Sequence, residues 1–276
     1  MEEIILEARN LYFSYELSDK HSLQGLNVKV KKGEKVAFMG ANGSGKSTFF
    51  LCCNGIYQPQ KGEIYFKGEK IGYSKKELLA LRSHVGIVFQ DPDNQLFSAS
   101  VKQEISFGIL NLGVDKITAE KEVQAVMERL EIMPFQDRPV HALSGGQKKL
   151  VSIADILIMH PDIILLDEPV ASLDPKHTSL VYRIIDQMTE QGITVIMATH
   201  DVDYAYAWAD EVVLMHEGVA LCQGKPEDIF RNKELLRKTN LEEPTVLRLY
   251  DRLCEKGMLK REGNIPKTLD ELEHLI

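Results

Sequence analysis

The stretch GANGSGKST, residues 40–48, sets Gly40, Gly43 and Gly45 ahead of Lys46, Ser47 and Thr48. Residue types in that order suit a polyphosphate. Glycines let backbone N–H groups turn inward where a Cβ would block them, and the lysine supplies a point charge for the outer phosphates. Ser47 offers a hydroxyl to Mg²⁺, and a helix starting here adds roughly half a positive charge at its N-terminus. Asn42 and Ser44 lie in the same loop. KVAFMG before the loop and KSTFFLCCNGIY after it give the strand, turn and helix order of a phosphate-binding βα unit. The competing reading is a plain glycine turn.

Two further groups stand where such a loop needs help. IILLDEP ends an apolar run on adjacent carboxylates, Asp167 and Glu168. Alone, the pair serves equally well as a helix cap or a surface corner. Beside a phosphate loop, Asp167 is expected to hold the hydration shell of Mg²⁺, and Glu168 to orient or deprotonate an attacking water. Gln90 in GIVFQDP and His200 in MATHDVD each end a predicted strand, on the rim of a parallel sheet where catalytic side chains gather. Standing alone, His200 reads as a structural histidine. With a γ-phosphate nearby, a neutral imidazole donating to it, or linking it to Glu168, is the expected role. Gln90 is expected to touch both Mg²⁺ and water.

HALSGGQKKL, residues 141–150, then places Ser144, Gly145 and Gly146 directly before a stretch that reads as helix. Why one nucleotide should need two such helix starts is a question the residues alone leave open.

The elements that must position these groups follow from periodicity. Residues 4–30 alternate apolar and polar, as in IILEARNLYFSY and LQGLNVKV, which predicts a small antiparallel sheet. GEIYFKGEKI reads as a hairpin strand and HVGIVFQ as a buried one. From about 99 to 160 the pattern turns helical, with Val123, Val126, Met127 and Leu130 spaced as one apolar stripe. DIILLD, ITVIMA and EVVLM follow as buried strands, with a helix from about 175 to 190 capped by Asp174 and opened by Pro175. The predicted fold class is therefore α/β with a mostly parallel core sheet. LMHEGVALCQG predicts an antiparallel edge strand after a turn at Glu217-Gly218. A charged helical tail occupies 226–276, with a capping-box pattern at Thr268 and Glu271.

Bulk properties exclude several classes. At 276 residues, 44% apolar and 27% charged, the chain is a globular protein with a sizeable core, not a disordered or fibrous one. A formal net charge of −8 argues against a nucleic-acid binder, so no nucleic-acid partner is expected. Cys52, Cys53, Cys222 and Cys254 show no paired framework and read as reduced thiols, the first two as packing residues. No apolar run approaches the ~18 residues that span a bilayer, so no direct membrane insertion is expected, and any membrane role must pass through a partner.

Taken in order, GANGSGKST, VFQ, LSGGQ, IILLDEP, SLD and ATHD resemble the ATP-binding cassette ATPases over residues 1 to about 225. LSGGQ is the most specific element, because kinases and small GTPases with phosphate loops lack it. The resemblance implies a phosphate-loop NTPase fold with an inserted helical subdomain at about 99–160, an ATPase domain spanning 1–225 and an extension at 226–276. It implies ATP and Mg²⁺ as cofactors, with Ser47, Gln90 and Asp167 on the metal. It also implies that Ser144, Gly145 and Gly146, with Gln147, cap the γ-phosphate held by a second cassette. By the same likeness Tyr15 stacks on adenine, although an alternating strand could equally bury it as a core aromatic. Ser172, Leu173 and Asp174 are expected to communicate across the dimer. One departure is Asp155 in VSIADILI, where many relatives carry arginine.

Within that family YSKKELL, GIVFQDPDNQLFSASVKQEISFGILNLG and THDVDYAYAWADEVVLMHEG are most similar to the ATPases of energy-coupling-factor importers, particularly of cobalt type. The implied partners are a second ATPase subunit, identical or paralogous, a transmembrane coupling protein and a substrate-binding membrane component. The implied place is the cytoplasmic face of the membrane. Asp91, Pro92, Asp93, Asn94, Gln95, Leu96 and Phe97 are the candidates for the groove that receives the coupling protein; as residues alone they read as a polar loop with two apolar anchors. A nickel or vitamin importer would look much the same, and a soluble cassette ATPase acting on ribosomes or DNA is the alternative of another class.

Overall fold

The computed structural model describes residues 3–16, 20–261 and 265–276. Residues 17–19, within the expected antiparallel run, and 262–264, within the expected tail, lie outside the described residues.

β1 (Ile4–Phe13), β2 (Leu23–Lys31), β4 (Lys61–Phe66) and β5 (Glu69–Lys70) form an antiparallel sheet in the order β2-β1-β4-β5. β2 shows why. From Leu26 on, Leu26, Val28 and Val30 are buried while Asn27 and Lys29 face water, a period of two that fits a sheet with one covered face; Leu23 is buried out of phase, on the far side of the irregularity at Gly25.

The second sheet contains β3 (Lys35–Met39), β6 (Val85–Val88), β7 (Ile163–Asp167), β8 (Thr194–Ala198), β9 (Glu211–His216) and β10 (Val219–Gly224). Its order is β10-β9-β3-β8-β7-β6, parallel throughout except for the β9-β10 hairpin, which turns at Glu217 and Gly218. β3 is covered on both sides. Val36 and Phe38 enter a core shared with the antiparallel sheet and α1 (Lys46–Cys53), while Ala37 and Met39 enter the core packed by the helices. Cys52 and Cys53 are buried free thiols in the first of these cores.

Parallel pairing is what gathers the chemistry. Phe38 lies opposite Ala198, Ala198 opposite Asp167, and Leu166 opposite Val88. The segments leaving β3, β8, β7 and β6 therefore emerge on one edge of the sheet, where open α/β sheets bind ligands. Gln90 and His200 each stand two residues beyond their strands, not on the last strand residue as expected, because the ladders close at Val88 and Ala198.

The helical segment contains α3 (Val101–Asn111), α4 (Lys116–Arg129) and α5 (Gly145–Leu157). Val123, Val126, Met127 and Leu130 are all buried, as their spacing predicts. α5 starts one residue after Ser144, so Gly145 and Gly146 belong to its first turn rather than preceding it. The reason is a capping box: Ser144 Oγ accepts the Gln147 N–H at 3.3 Å, and Gln147 Oε1 accepts the Ser144 N–H at 3.1 Å. α2 (Lys75–His84) was not expected, although Ser74 and Glu77 form the same kind of box and carry its sequence signature. α6 (Pro175–Glu190) begins at the predicted Asp174 cap.

After α7 (Val202–Trp208), the tail adds α8 (Pro226–Phe230), α9 (Lys233–Thr239), α10 (Thr245–Glu255) and α11 (Leu269–Glu273). Leu236, Leu247, Tyr250 and Leu272 dock it on the helical core. The Thr268–Glu271 box is half made. Thr268 Oγ1 accepts the Glu271 N–H, but the Glu271 carboxylate takes the N–H of Lys267 instead of that of Thr268. None of the described helices is long and apolar enough to cross a membrane.

The ring of Phe49 on α1 stacks on Phe38 at 5.1 Å, and both are fully buried. Phe49→Ala is expected to lower the unfolding free energy by about 3–5 kcal/mol in a urea titration; a loss under about 1 kcal/mol would show that α1 is not clamped through this ring.

Candidate active site

The phosphate loop is shaped by crowding behind it. A Cβ at Gly45 (φ 106°) would fall 2.6 Å from the Ser22 carbonyl oxygen, and one at Gly40 (φ 143°) would run into the Met215 carbonyl. α1 follows Gly45 with no side-chain cap, so no side chain claims the N–H groups of its first turn. Lys46 is buried, and its ammonium donates to the carbonyls of Gly40 (2.7 Å) and Ala41 (3.3 Å). Burial lowers its pKa, against the pull of Glu168 and Asp167. The Ser44 hydroxyl is buried without a partner. Open N–H groups, an unpartnered hydroxyl and a buried cation form a cradle whose missing member is an anion of phosphate type.

Facing the loop are the carboxylates. Asp167 is the last residue of β7, and burial raises its pKa despite a hydrogen bond from Ser47. Glu168 follows in the left-handed region (φ 45°), a strained conformation for a non-glycine residue, and its N–H donates to the Ala198 carbonyl at 3.0 Å. Burial pushes the Glu168 carboxyl up to about 7. His200 Nε2 stands 3.1 Å from Glu168 Oε1 while donating to Asn42 Oδ1 at 2.9 Å, which leaves that buried carboxylate oxygen without a hydrogen bond. Burial, then the charge of Lys46, lowers the His200 pKa and favours the neutral ring.

The fit to Mg²⁺ is one of donor chemistry. Ser47, Gln90 and Asp167 offer hard oxygens, and among the described residues no group of three or more His, Cys, Asp or Glu side chains could hold a metal by itself. One carboxylate completed by phosphate and water is the way proteins usually hold Mg²⁺.

These residues share one cavity of about 470 Å³. Asn42 through Thr48 form its floor, with Gln90, Asp167, Glu168 and His200 opposite and Tyr15 at the mouth. Gly40 lies behind the loop and does not line it. Tyr15 is 41% exposed, so it is not a core aromatic; its hydroxyl is 3.0 Å from Thr48 Oγ1 and its ring stands edge-on to Phe13 and Tyr57. Ser22 and Ala171 also line the cavity. Nothing in their types marked them in the sequence.

Ser144, Gly146 and Gln147 are not brought to this cavity. Gly145 lines a second one, of about 450 Å³, which shares Ser47, Gln90 and Asp167 with the first and also takes in Ser172, Leu173 and Lys149. Ser144 and Gly145 are exposed, and a Cβ at Gly145 would meet nothing within 4 Å. Gly146 instead lies under the His177 ring, which a Cβ there would approach to 2.5 Å, and that ring is tied to Asp174 at 2.6 Å. Lys149 escaped the sequence reading because a lysine in a helix ordinarily faces water; here it is 1% exposed, and burial pushes its pKa down to about 8.

Residues 91–97 make a single 3₁₀ turn, Pro92–Asn94, capped by Asp91, followed by Gln95, Leu96 and Phe97. Leu96 is an anchor, at 9% exposure. Phe97 is not, at 68%, which corrects the reading of two apolar anchors. Phe97 instead borders a groove of about 320 Å³ with Phe107 and Leu79, above the buried carboxyls of Glu104 and Asp155. Burial, reinforced by Glu104, pushes Asp155 well up.

A parallel sheet edge, a phosphate cradle and paired acids define a phosphate-loop nucleoside-triphosphate enzyme. The chain matches the ABC transporter family over residues 23–171. It is 45% identical to the energy-coupling factor transporter ATP-binding protein EcfA of Methanocaldococcus jannaschii, across 95% of this chain and 91% of that protein. It is 44% identical to a putative ABC transporter ATP-binding protein of Methanosarcina mazei, covering 98% of this chain but spanning 59% of that relative's length. Among solved structures, cbiO1 of Clostridium perfringens, part of the ABC transporter complex cbiONQ, superposes with a TM-score of 0.76 at 43% identity, over 92% of this chain and all of that one. The chain belongs to the ABC transporter ATPase family.

Replacing Lys46 with Ala removes the buried cation of the cradle. Binding of a fluorescent ATP analogue is expected to weaken at least ~10-fold, as for loss of a charge-assisted contact; unchanged affinity would contradict the cradle assignment.

Proposed function

We propose that this chain is the ATP-binding and hydrolysing subunit of an energy-coupling-factor type importer. It works as one of two cassettes on the cytoplasmic face of the membrane, as a peripheral protein. The observation that carries the reading is the exposed Ser144-Gly145 helix start, which belongs to the phosphate-binding type yet lies outside the chain's own nucleotide cavity. A second copy or a paralogue presenting the same face gives that helix start its anion, and gives the open side of the cradle its missing donors.

Within one half-site the roles follow from placement. The loop N–H groups and Lys46 bind the triphosphate, and Tyr15 receives the base. Ser47, Gln90 and Asp167 would hold Mg²⁺, which supplies charge neutralisation at the transferring phosphoryl oxygens. Glu168, with its buried oxygen free of hydrogen bonds, orients a water and takes its proton, and a raised pKa gives it the basicity for that task. The neutral His200 ring donates to Asn42 of the loop while the His200 backbone N–H donates to Glu168, so one residue holds both the loop and the carboxylate at the reacting end. Cleavage removes the charge that holds the two surfaces together, so hydrolysis reopens the pair.

The Phe97–Phe107 groove is where the transmembrane coupling protein docks in this reading. Of the segment that follows Gln90, Gln95 and Phe97 line this groove, whereas Asp91, Pro92 and Asn94 line the cavity shared with Gly145, so a partner seated on the groove bears on the Gln90 segment through its far end. The proposed cargo is cobalt, supported by likeness to cbiO1; the name of the EcfA relative supports the energy-coupling type and specifies no cargo. Selection of the ion is assigned to the membrane components.

Two experiments test the composite site. Glu168→Gln is expected to leave ATP binding intact, slow turnover at least ~10²-fold and trap a dimer visible by size exclusion; wild-type turnover would remove Glu168 from its role. Mixing a Ser144→Arg chain with a Lys46→Ala chain is expected to regain turnover that neither shows alone, because one of the two sites in each mixed pair is intact. Absence of rescue would place the signature residues in their own chain's site.

A further inference from the structure

The carbonyl groups of Phe89 and Gln90 have left the β6 ladder, which ends at Val88. Backbone acceptors beside a buried site need donors, and theirs come from a single side chain on another element. Lys149 Nζ donates to the Phe89 carbonyl at 2.7 Å and to the Gln90 carbonyl at 2.8 Å. Among the described residues no carboxylate stands within ion-pair range of this ammonium, although Asp167 and Asp91 are close enough to act on it electrostatically. A buried cation without a carboxylate partner is held in place by the dipoles it binds, so the two carbonyls and the ammonium fix each other.

Two neighbouring contacts repeat the pattern along the same helix. Lys148 Nζ pairs with Asp93 at 2.6 Å, and Gln95 Nε2 donates to the Ser152 carbonyl at 2.8 Å. The segment after β6 is thereby laced to the first turns of α5, whose start is capped by Ser144. An α-helix rises 1.5 Å per residue and is stiff over two turns, so Lys149 stands about 7.5 Å along the axis from that start. Gln90 lines both cavities, and its main chain is set by α5 rather than by the strand before it.

Resting on the reading of the site given above, we infer that Lys149 is a positioning residue: its ammonium fixes the Gln90 backbone to the signature helix, so that Gln90 in this chain's own site moves together with the Ser144 and Gly145 that this chain presents to its partner's site. Lys149 touches neither nucleotide nor water in this role and acts through Gln90 alone. The consequence is mechanical. A displacement of α5 when the second cassette closes carries Gln90 with it, and a displacement of the Gln90 segment by the membrane partner carries the signature residues.

The test compares the full-length wild type with Lys149→Met, Gln90→Ala and the double variant in steady-state MgATP turnover, with hydrogen–deuterium exchange on the nucleotide-free proteins. Lys149→Met is expected to lower kcat about 10- to 100-fold, with KM for ATP within about 3-fold, as for misplacement of a catalytic group by roughly 1 Å. Added to Gln90→Ala, it is expected to lower kcat by less than about 2-fold more, the non-additivity of residues acting as a unit. Exchange of the 89–96 amides is expected to accelerate about 10-fold or more, while β7 stays unchanged.

A multiplicative double variant, or unchanged exchange at 89–96, overturns the inference. Should Lys149→Met fail to fold, Lys149→Leu, which likewise removes the donor, is held to the same two criteria. The two readings fail separately. A wild type without ATP turnover defeats the proposed function while the exchange result still decides the tether; active wild type with full activity in Lys149→Met defeats the tether alone.

Discussion

The Lys46 ammonium is buried against carbonyl oxygens, with no carboxylate in ion-pair range among the described residues. An uncompensated buried cation is tolerated only where its surroundings are rigid and its missing anion arrives as a ligand. Rigidity comes from behind: the Met215 carbonyl and Ser22 carbonyl press against Gly40 and Gly45, and the Phe38–Phe49 stack holds α1 on β3. The acids opposite carry the complementary cost, since burial raises both Asp167 and Glu168 while Lys46 pulls them down. Loop and acids are therefore mutually dependent, and a triphosphate with its metal settles both.

That arrangement closes only one side of the ligand. The strained Glu168 and Ser172, both left-handed, mark the two turns of the 167–174 segment, one facing the nucleotide cavity and the other the cavity that Gly145 lines. Asp174 in turn holds the His177 ring over Gly146, so the helix start of α5 and the start of α6 pack as one surface. In the proposed cycle this surface meets the partner's triphosphate, and the lysine tether links it to the catalytic glutamine.

Much of this was legible in the sequence for identifiable reasons. Strong periodicity located the strands and the α4 stripe, and the phosphate loop and the Asp167-Glu168 pair are local patterns whose spacing is the mechanism. Other features were not readable because they depend on register or long-range packing. The loss of Tyr15 from the core alternative, the exposure of Phe97 and the burial of Lys149 are set by what crosses each residue, not by its neighbours in the chain. The α2 helix is the exception, since its Ser74–Glu77 box is a local pattern visible in the sequence. The glycines of the signature look like a loop by composition, yet the Ser144–Gln147 box extends the helix through them.

Incompleteness of the single chain is the central claim, and the dependence of turnover on subunit concentration tests it most directly. Dilution series of the wild-type chain at saturating MgATP are expected to show specific activity rising with concentration until pairing saturates. Specific activity that stays constant down to concentrations where light scattering finds only monomer would contradict the account.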